Sequence, residues 1–287
     1  MIISVASGKG GTGKTTIAVS LALSVQHSVY IDCDVEEPNG HILLEPVIST
    51  QQYVTKRLPK IDFDRCTFCS KCSELCEFNA IIVLKSDVMV FEDMCHGCGV
   101  CSYFCPEHAI IEVEKNIGEI RKGSTKSEPI DFIDGTLNIG EMSATQLIRQ
   151  VRKEALPDRT NILDAPPGTS CSMVAALKDT DYCILVTEST PFGLNDLRLA
   201  IQVVRLLGVP FGVIINKYDD HFPALDYHCS SEGIPVLLKI PFDRKVAEYY
   251  SRGIPLVHAM PQLKESFRRL FEQIQLVVQR KEMIPGR

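Results

Sequence analysis

The chain has 287 residues, 45% of them hydrophobic and 23% charged, with a formal net charge of −6. This is the composition of an ordinary soluble globular protein of roughly two domains. No Lys/Arg run marks a nucleic-acid patch, and no apolar stretch approaches the ~20 residues of a membrane span. Residues 1–6 lead straight into a glycine-rich loop without a secretory leader's basic and apolar segments, so the twelve cysteines are expected in a reducing cytoplasm, where thiolates bind metal and disulfides are rare.

Ile2, Ile3 and Val5 form a short β-branched strand. Gly8-Lys9-Gly10-Gly11-Thr12-Gly13-Lys14-Thr15-Thr16 follows, matching G-x4-G-K-[ST], and a helix through Ile17, Ala18, Leu21 and Leu23 comes next. Strand, loop and helix in that order are the setting of a phosphate-binding loop. The glycines let successive N–H groups wrap phosphates, and the helix N-terminus adds a favourable potential. Lys14 is the expected partner of the β/γ-phosphates and the Thr15 hydroxyl a ligand of Mg²⁺. Gly10, Gly11, Thr12, Gly13 and Thr16 complete the loop's share of the nucleotide site. A second buried strand at 29–32 runs into Asp32-Cys33-Asp34.

Around residue 58 the pattern changes. Cys66, Cys69, Cys72 and Cys76 read C-x2-C-x2-C-x3-C, and Cys95, Cys98, Cys101 and Cys105 repeat it 29 residues later, with Pro106 following. Short Ile/Val pieces at 80–84 and 109–113 repeat at the same interval, so residues 58–115 read as an internally duplicated insertion. The remainder, 1–57 and 116–287, reads as one discontinuous domain. Zinc is the competing reading of eight cysteines, but zinc sites usually pair C-x2-C units across longer loops. Three cysteines at successive x2 spacings instead favour a cubane, with a distant fourth ligand. The run resembles that of bacterial two-cluster ferredoxins, in which the fourth cysteine of each run serves the other cluster. The resemblance implies two [4Fe–4S] clusters, one on Cys66, Cys69, Cys72 and Cys105, the other on Cys95, Cys98, Cys101 and Cys76. Glu77 stands where a proline is expected after the first run.

After a polar bridge at 121–129 the strand–helix alternation returns, with strands expected at 161–165, 182–187, 211–217 and 236–240. Helices are expected at 194–207, 224–231 and 244–251. Such alternation implies an α/β protein with a doubly wound, mostly parallel sheet. A last helix at 262–279 gathers Leu263, Phe267, Leu270, Phe271 and Ile274 on one face, which covers the sheet rather than a membrane.

The additional Lys9 in K-G-G-T-G-K-T resembles the deviant Walker A motif of the MinD/ParA superfamily, which also holds the nitrogenase iron protein and the Mrp-type cluster carriers. The resemblance spans both flanks of the insertion. It implies that Lys9 reaches across an ATP-bound homodimer to the partner's phosphates, and that Asp34 activates the attacking water. Residues 162–169 (Ile-Leu-Asp-Ala-Pro-Pro-Gly-Thr) are similar to Walker B with switch II. There Asp164 would hold Mg²⁺ and the Gly168 N–H would sense the γ-phosphate. Asn216 would contact adenine. Asn216-Lys217-Tyr218-Asp219 also has the spacing that reads guanine, but the family framework gives ATP. Of the other cysteines, Cys171 lies where the nitrogenase iron protein bridges a cluster, yet no second bridging cysteine is visible. Cys33, Cys171, Cys183 and Cys229 are all expected as buried apolar residues. These features point to an ATPase switch that drives electron transfer to a redox partner. A cluster or metal carrier serving an acceptor protein is the alternative. A MinD-like spatial organiser with structural or sensory clusters is the second alternative.

Overall fold

Short apolar runs, each followed by a helix, build a nine-stranded sheet in the computed structural model, which describes residues 1–126, 130–142 and 144–282. In chain order the elements are β1 (Ile2–Ala6), α1 (Lys14–Ser24), β2 (Ser28–Asp32), α2 (Gly40–Leu44), β3 (Val47–Ile61), α3 (Lys71–Glu74), β4 (Ile81–Val83) and β5 (Val88–Val90). There follow α4 (Val100–Tyr103), β6 (Ile110–Ser124), β7 (Asp131–Leu137), α5 (Thr145–Lys153), β8 (Thr160–Asp164), α6 (Cys171–Leu177) and β9 (Tyr182–Glu188). The chain closes with α7 (Pro191–Leu206), β10 (Phe211–Tyr218), α8 (Ala224–Ser231), β11 (Val236–Pro241), α9 (Arg244–Ser251), α10 (Leu256–Ala259) and α11 (Gln262–Glu282).

The sheet order is β11-β10-β9-β1-β8-β2-β7-β6-β3, parallel from β11 to β7 and antiparallel at β6 and β3. Strands buried on both faces read as continuous apolar runs because successive side chains enter opposite cores. In β9, Cys183 and Leu185 join one core with Leu147, Met173 and Ile201 of α5, α6 and α7. Tyr182, Ile184 and Val186 join the other, with Leu21 of α1 and Phe267, Leu270 and Ile274 of α11. The last helix therefore covers the sheet, as its apolar stripe suggests. Among the described residues no helix is long and apolar enough to cross a membrane. Local signals set several boundaries: Thr190 caps α7, its hydroxyl accepting from the Gly193 N–H at 2.9 Å, with Pro191 in the first turn.

β3 and β6 form an antiparallel ribbon paired from Val47↔Ser124 to Ile61↔Ile110. Only its near part is in the sheet, where residues 118–124 of β6 pair with β7. The far part projects and carries both cysteine loops. The polar bridge expected at 121–129 begins as strand instead: residues 121–124 are paired on both sides, and 127–129 lie outside the described residues. Their polarity is explained by ion pairs of Arg121 with Asp134 and of Lys122 with Glu154.

The cysteine-bearing segment repeats its backbone as well as its sequence. Left-handed conformations recur 29 residues apart at Phe68 (φ 54°) and Gly97 (φ 64°), at Ser70 (φ 66°) and Gly99 (φ 74°), and at Asn79 (φ 50°) and His108 (φ 47°). The Ala80 and Ala109 amides point at the Cys76 and Cys105 sulfurs, each at 3.3 Å. A backbone conformation that non-glycine residues rarely adopt, repeated at Phe68, Ser70, Asn79 and His108, marks a structurally required turn.

Phe267 is fully buried between α11 and the sheet. Phe267→Ala should cost about 3–5 kcal/mol in denaturant unfolding. The exposed Glu272→Ala on the same helix should change it by less than ~0.5 kcal/mol.

Candidate functional site

Parallel registry aligns the chemistry at one edge of the sheet. Asp164 of β8 lies beside Val5 of β1 and Asp32 of β2, so the loops that follow all three strands converge. Between them opens a cavity of about 370 Å³, lined by Lys9, the run from Gly10 to Thr16, Asp34, Pro167, Asn216 and the β11–α9 connection. The phosphate-loop residues expected from sequence thus face one space. Gly13 (φ 89°) caps α1, and a Cβ there would lie 2.3 Å from the Asn216 side-chain nitrogen, so glycine is required on two counts. Thr12 Oγ1 is buried without a hydrogen-bond partner in this wall.

Lys14, only 7% exposed, holds the centre: its Nζ lies 2.5 Å from Asp164 Oδ1 and 3.7 Å from Asp34 Oδ2. Burial opposes its charge, but Asp164 and then Asp34 outweigh burial and hold its pKa above the ordinary value. Tyr30 donates to Asp164 Oδ2 at 3.0 Å and to Asp32 Oδ2 at 3.3 Å. Burial, then Asp164, pushes the Asp32 carboxyl and the Tyr30 phenol well up. Asp32 also accepts from the Asp34 and Gly40 amides at 3.1 and 3.0 Å, which fixes the turn presenting Asp34. Burial likewise raises the Asp34 carboxyl to about 6, with Lys14 pulling the other way.

The remaining expected residues lie around this centre. Thr15 and Thr16 line the cavity. The Gly168 N–H donates to the Ser7 carbonyl at 3.0 Å, and the Asn216 amide donates to the Thr12 carbonyl at 2.8 Å. Asp219 lies on the exposed surface, 2.7 Å from His221 Nδ1, and is not part of the cavity wall. Lys9 Nζ is 2.5 Å from Glu188 Oε1, and Lys217 Nζ is 3.1 Å from Glu188 Oε2. Burial opposes the charge on Glu188, but hydrogen bonds from Lys9 and Lys217 hold its carboxyl below the ordinary range. Neither Glu188 nor Tyr30 was expected from sequence. An acid ending a buried strand beside the phosphate loop was the available signal for Glu188, whereas a tyrosine within a buried strand gave none. Burial of the scattered cysteines holds for Cys33, Cys183 and Cys229 and fails for Cys171. Cys171 opens α6 with its side chain exposed, whereas Met173 in the same turn enters the core.

On the ribbon, two further small cavities of about 30 and 20 Å³ open beside the cysteine loops. The first is lined by Cys76, Cys95, Cys98 and Cys101, the second by Cys66, Cys69, Cys72 and Cys105. Each run thus contributes three cysteines to one cavity and its fourth to the other. Amides approach the sulfurs of Cys76, Cys105 and Cys95 at 3.3, 3.3 and 3.5 Å, which suits thiolates bound to a cationic group. Among the described residues no three His, Cys, Asp or Glu side chains converge as a site for a single metal ion. Four cysteines instead line each cavity.

A family profile described as the CobQ/CobB/MinD/ParA nucleotide binding domain matches residues 3–256. The chain belongs to this family. The MinD/ParA-family chain is 31% identical to an uncharacterized protein of Methanocaldococcus jannaschii, over 88% of this chain and 90% of that one. It is 24% identical to the iron–sulfur cluster carrier protein of Pyrococcus furiosus, over 89% of this chain and 78% of that one. Its fold is similar to that of the septum site-determining protein MinD of Pyrococcus horikoshii, solved with Mg-ADP. The TM-score is 0.59 at 20% identity, over 95% of each chain.

The raised Asp34 pKa fixes the sign of a pH effect. A carboxyl whose folded-state pKa is raised favours folding only while protonated, so its contribution is lost as pH climbs from the ordinary 3.8 to about 6. Asp34→Asn stays neutral, so it should gain on wild type by about 1–2 kcal/mol between ~pH 4 and ~pH 7 in nucleotide-free denaturation. An identical difference at both pH values would show that the carboxylate is not strained.

Proposed function

We propose that this chain is an ATP-binding and ATP-hydrolysing iron–sulfur protein whose nucleotide-switched homodimer drives electron transfer through two [4Fe–4S] clusters. The observation that carries this reading is the pair of four-cysteine cavities, with their exchanged fourth cysteines, on a ribbon built into a MinD/ParA-family fold. Residues 58–115 act as the inserted cluster module, and 1–57 with 116–287 as the ATPase. Bound [4Fe–4S] clusters supply one-electron couples. Cys66, Cys69, Cys72 and Cys105 hold one, and Cys95, Cys98, Cys101 and Cys76 the other.

At the nucleotide site Lys14 neutralises the β/γ-phosphates, and the loop amides from Gly10 to Thr16 cradle them. Thr15 and Asp164 hold Mg²⁺, Asp34 orients the attacking water, and the Gly168 N–H responds to the γ-phosphate. Lys9 leaves Glu188 to meet the partner's phosphates, which makes the dimer depend on ATP. Asn216 sits beside the base. ATP is favoured over GTP because Asp219, the acid that a guanine-reading tetrapeptide needs, is outside the cavity. Electron transfer rather than delivery is favoured by complete four-cysteine sets within one chain, a retaining arrangement. Delivery to an acceptor protein is the second reading, favoured by the similarity to a Pyrococcus furiosus cluster carrier protein.

Anaerobically prepared protein should hold about eight irons and eight sulfides per chain. Cys105→Ser should disturb the cluster of the first run while sparing the three-cysteine grip of its own run, as read by EPR of the two reduced centres. Stoichiometric zinc after iron-replete expression would overturn the cluster assignment. Loss of both irons and signal to an apo-acceptor through redox cycles would favour the carrier. In nucleotide binding and turnover assays, Lys14→Ala should abolish ATP binding. Lys9→Ala should retain binding but lose most hydrolysis, by about 10³-fold if it acts as an arginine finger does.

A further inference from the structure

The two cysteine loops share a backbone but not an anchorage. Lys56 of β3 and Lys115 of β6 face each other at the root of the projecting ribbon, where they are paired across the ladder. Both reach Glu141, in the turn between β7 and α5. Lys56 Nζ donates to Glu141 Oε2 at 2.8 Å, and Lys115 Nζ lies 2.9 Å from Glu141 Oε1. Lys56 and the Glu141 carboxylate are 3% and 6% exposed, so this is a buried ion pair with both carboxylate oxygens occupied. Removing one partner of such a pair leaves an uncompensated buried charge, which is costly.

The same lysines grip the second cysteine loop. Lys56 Nζ also donates to the Glu92 carbonyl at 3.0 Å; the Cys95 N–H, which donates to the Phe91 carbonyl at 3.1 Å as Cys66 does to that of Asp62, is shared with this Glu92 carbonyl at 3.2 Å. Lys115 Nζ lies 3.3 Å from the Glu92 carboxylate and 3.6 Å from that of Asp93. In the opposite direction, the turn bearing Glu141 is tied to the nucleotide site. The Leu137 N–H donates to the Val35 carbonyl at 2.8 Å, one residue beyond Asp34, and the Glu141 N–H donates to the Asn138 carbonyl at 3.2 Å. Hydrogen bonds and ion pairs, joined through the backbone at residues 137–138, therefore connect the Asp34 turn to the Cys95 amide.

The first loop lacks this line. The position 29 residues after Lys56 is Lys85, at the exposed tip of the β4–β5 hairpin, and it makes no ion pair among the described residues. The position 29 residues before Lys115 is Ser86. The Cys66 amide bonds only to the Asp62 carbonyl within its own turn.

We propose that Glu141, with Lys56 and Lys115, is a positioning strut between the nucleotide-site turn and the Cys95 loop, so that nucleotide occupancy alters the Cys95 cavity and not the Cys66 cavity. The inference rests on the nucleotide-site reading above. Hydrogen–deuterium exchange of the full-length, anaerobically prepared protein tests it, with and without a non-hydrolysable ATP analogue and Mg²⁺. In wild type, amides of 92–99 should change exchange rate by about fivefold or more, and those of 63–70 by less than about twofold. Glu141→Gln should abolish the difference while calorimetry shows nucleotide still bound. Lys115→Gln keeps the buried Lys56–Glu141 pair should the first variant fail to fold, and should at least halve the response. Equal responses of both loops, no response at 92–99 with nucleotide bound, or an undiminished response in either variant would overturn the strut. Failure of wild type to bind nucleotide at all would overturn the functional reading, and the strut with it.

Discussion

The buried ion pair between Lys14 and Asp164 is the contact on which the rest of the site depends. Neither group could stand alone where it is: Lys14 is 7% exposed and the Asp164 side chain fully buried. An unpaired charge in that setting costs several kcal/mol. Tyr30 and the Asp32 turn arrange themselves around that pair, the phenol bonding both carboxylates. The same constraint sets how a nucleotide could enter. On the proposed function, the phosphates take over Lys14 and the metal takes over Asp164, so each charge changes partner without being left bare. The Asp32–Asp34 turn, which shares those electrostatics, then feels the exchange directly.

A second acid works in the same way at the cavity rim. Glu188 is shared by Lys9 and Lys217, and Lys217 also donates to the Gly11 carbonyl at 3.1 Å. A lysine that is to cross a dimer interface must first give up this contact. The partner's phosphates therefore have to offer more than a partly buried carboxylate does. Association in that scheme is conditional on a triphosphate, because only a strong anion can win the competition.

Much of this was legible in sequence, and the parts that were not share a cause. The phosphate loop and the cysteine runs are local: spacing alone brings their residues together, whatever the surroundings. The helix at 224–231 was equally plain, since it lies between the apolar runs of β10 and β11, and the helix at 244–251 follows directly on β11. The β3–β6 ribbon was not: buried positions alternate at Val54, Lys56 and Leu58, but one of the three is a lysine whose partner Glu141 lies far away in sequence. β7 was missed for the opposite reason: its buried Asp134 breaks an apolar run, and only the partner Arg121, on another strand, explains it. Glu188 and Glu141 are likewise acids whose meaning lies in lysines many residues away. Long-range charge pairing leaves no periodic trace.

The ribbon also sorts two sites that look identical in sequence. The Cys95 cavity is walled by Arg57, Pro59 and Glu112, nearer the sheet, whereas the Cys66 cavity is walled by Ile61 and Ile110, where the ribbon ends. An internal duplication would make its two halves equivalent if the module stood alone. Continuing one hairpin into the sheet, while the β4–β5 hairpin closes on itself, breaks that equivalence. One cavity gains the buried Lys56, its partly exposed neighbour Lys115 and a root in the nucleotide-binding fold; the other gains distance from it. On the proposed function this ordering divides the work, with the outer site meeting a redox partner and the inner one reporting to the nucleotide. Reciprocity then requires that any change of charge at the inner site be felt in ATP affinity, because a strut that transmits in one direction transmits in both.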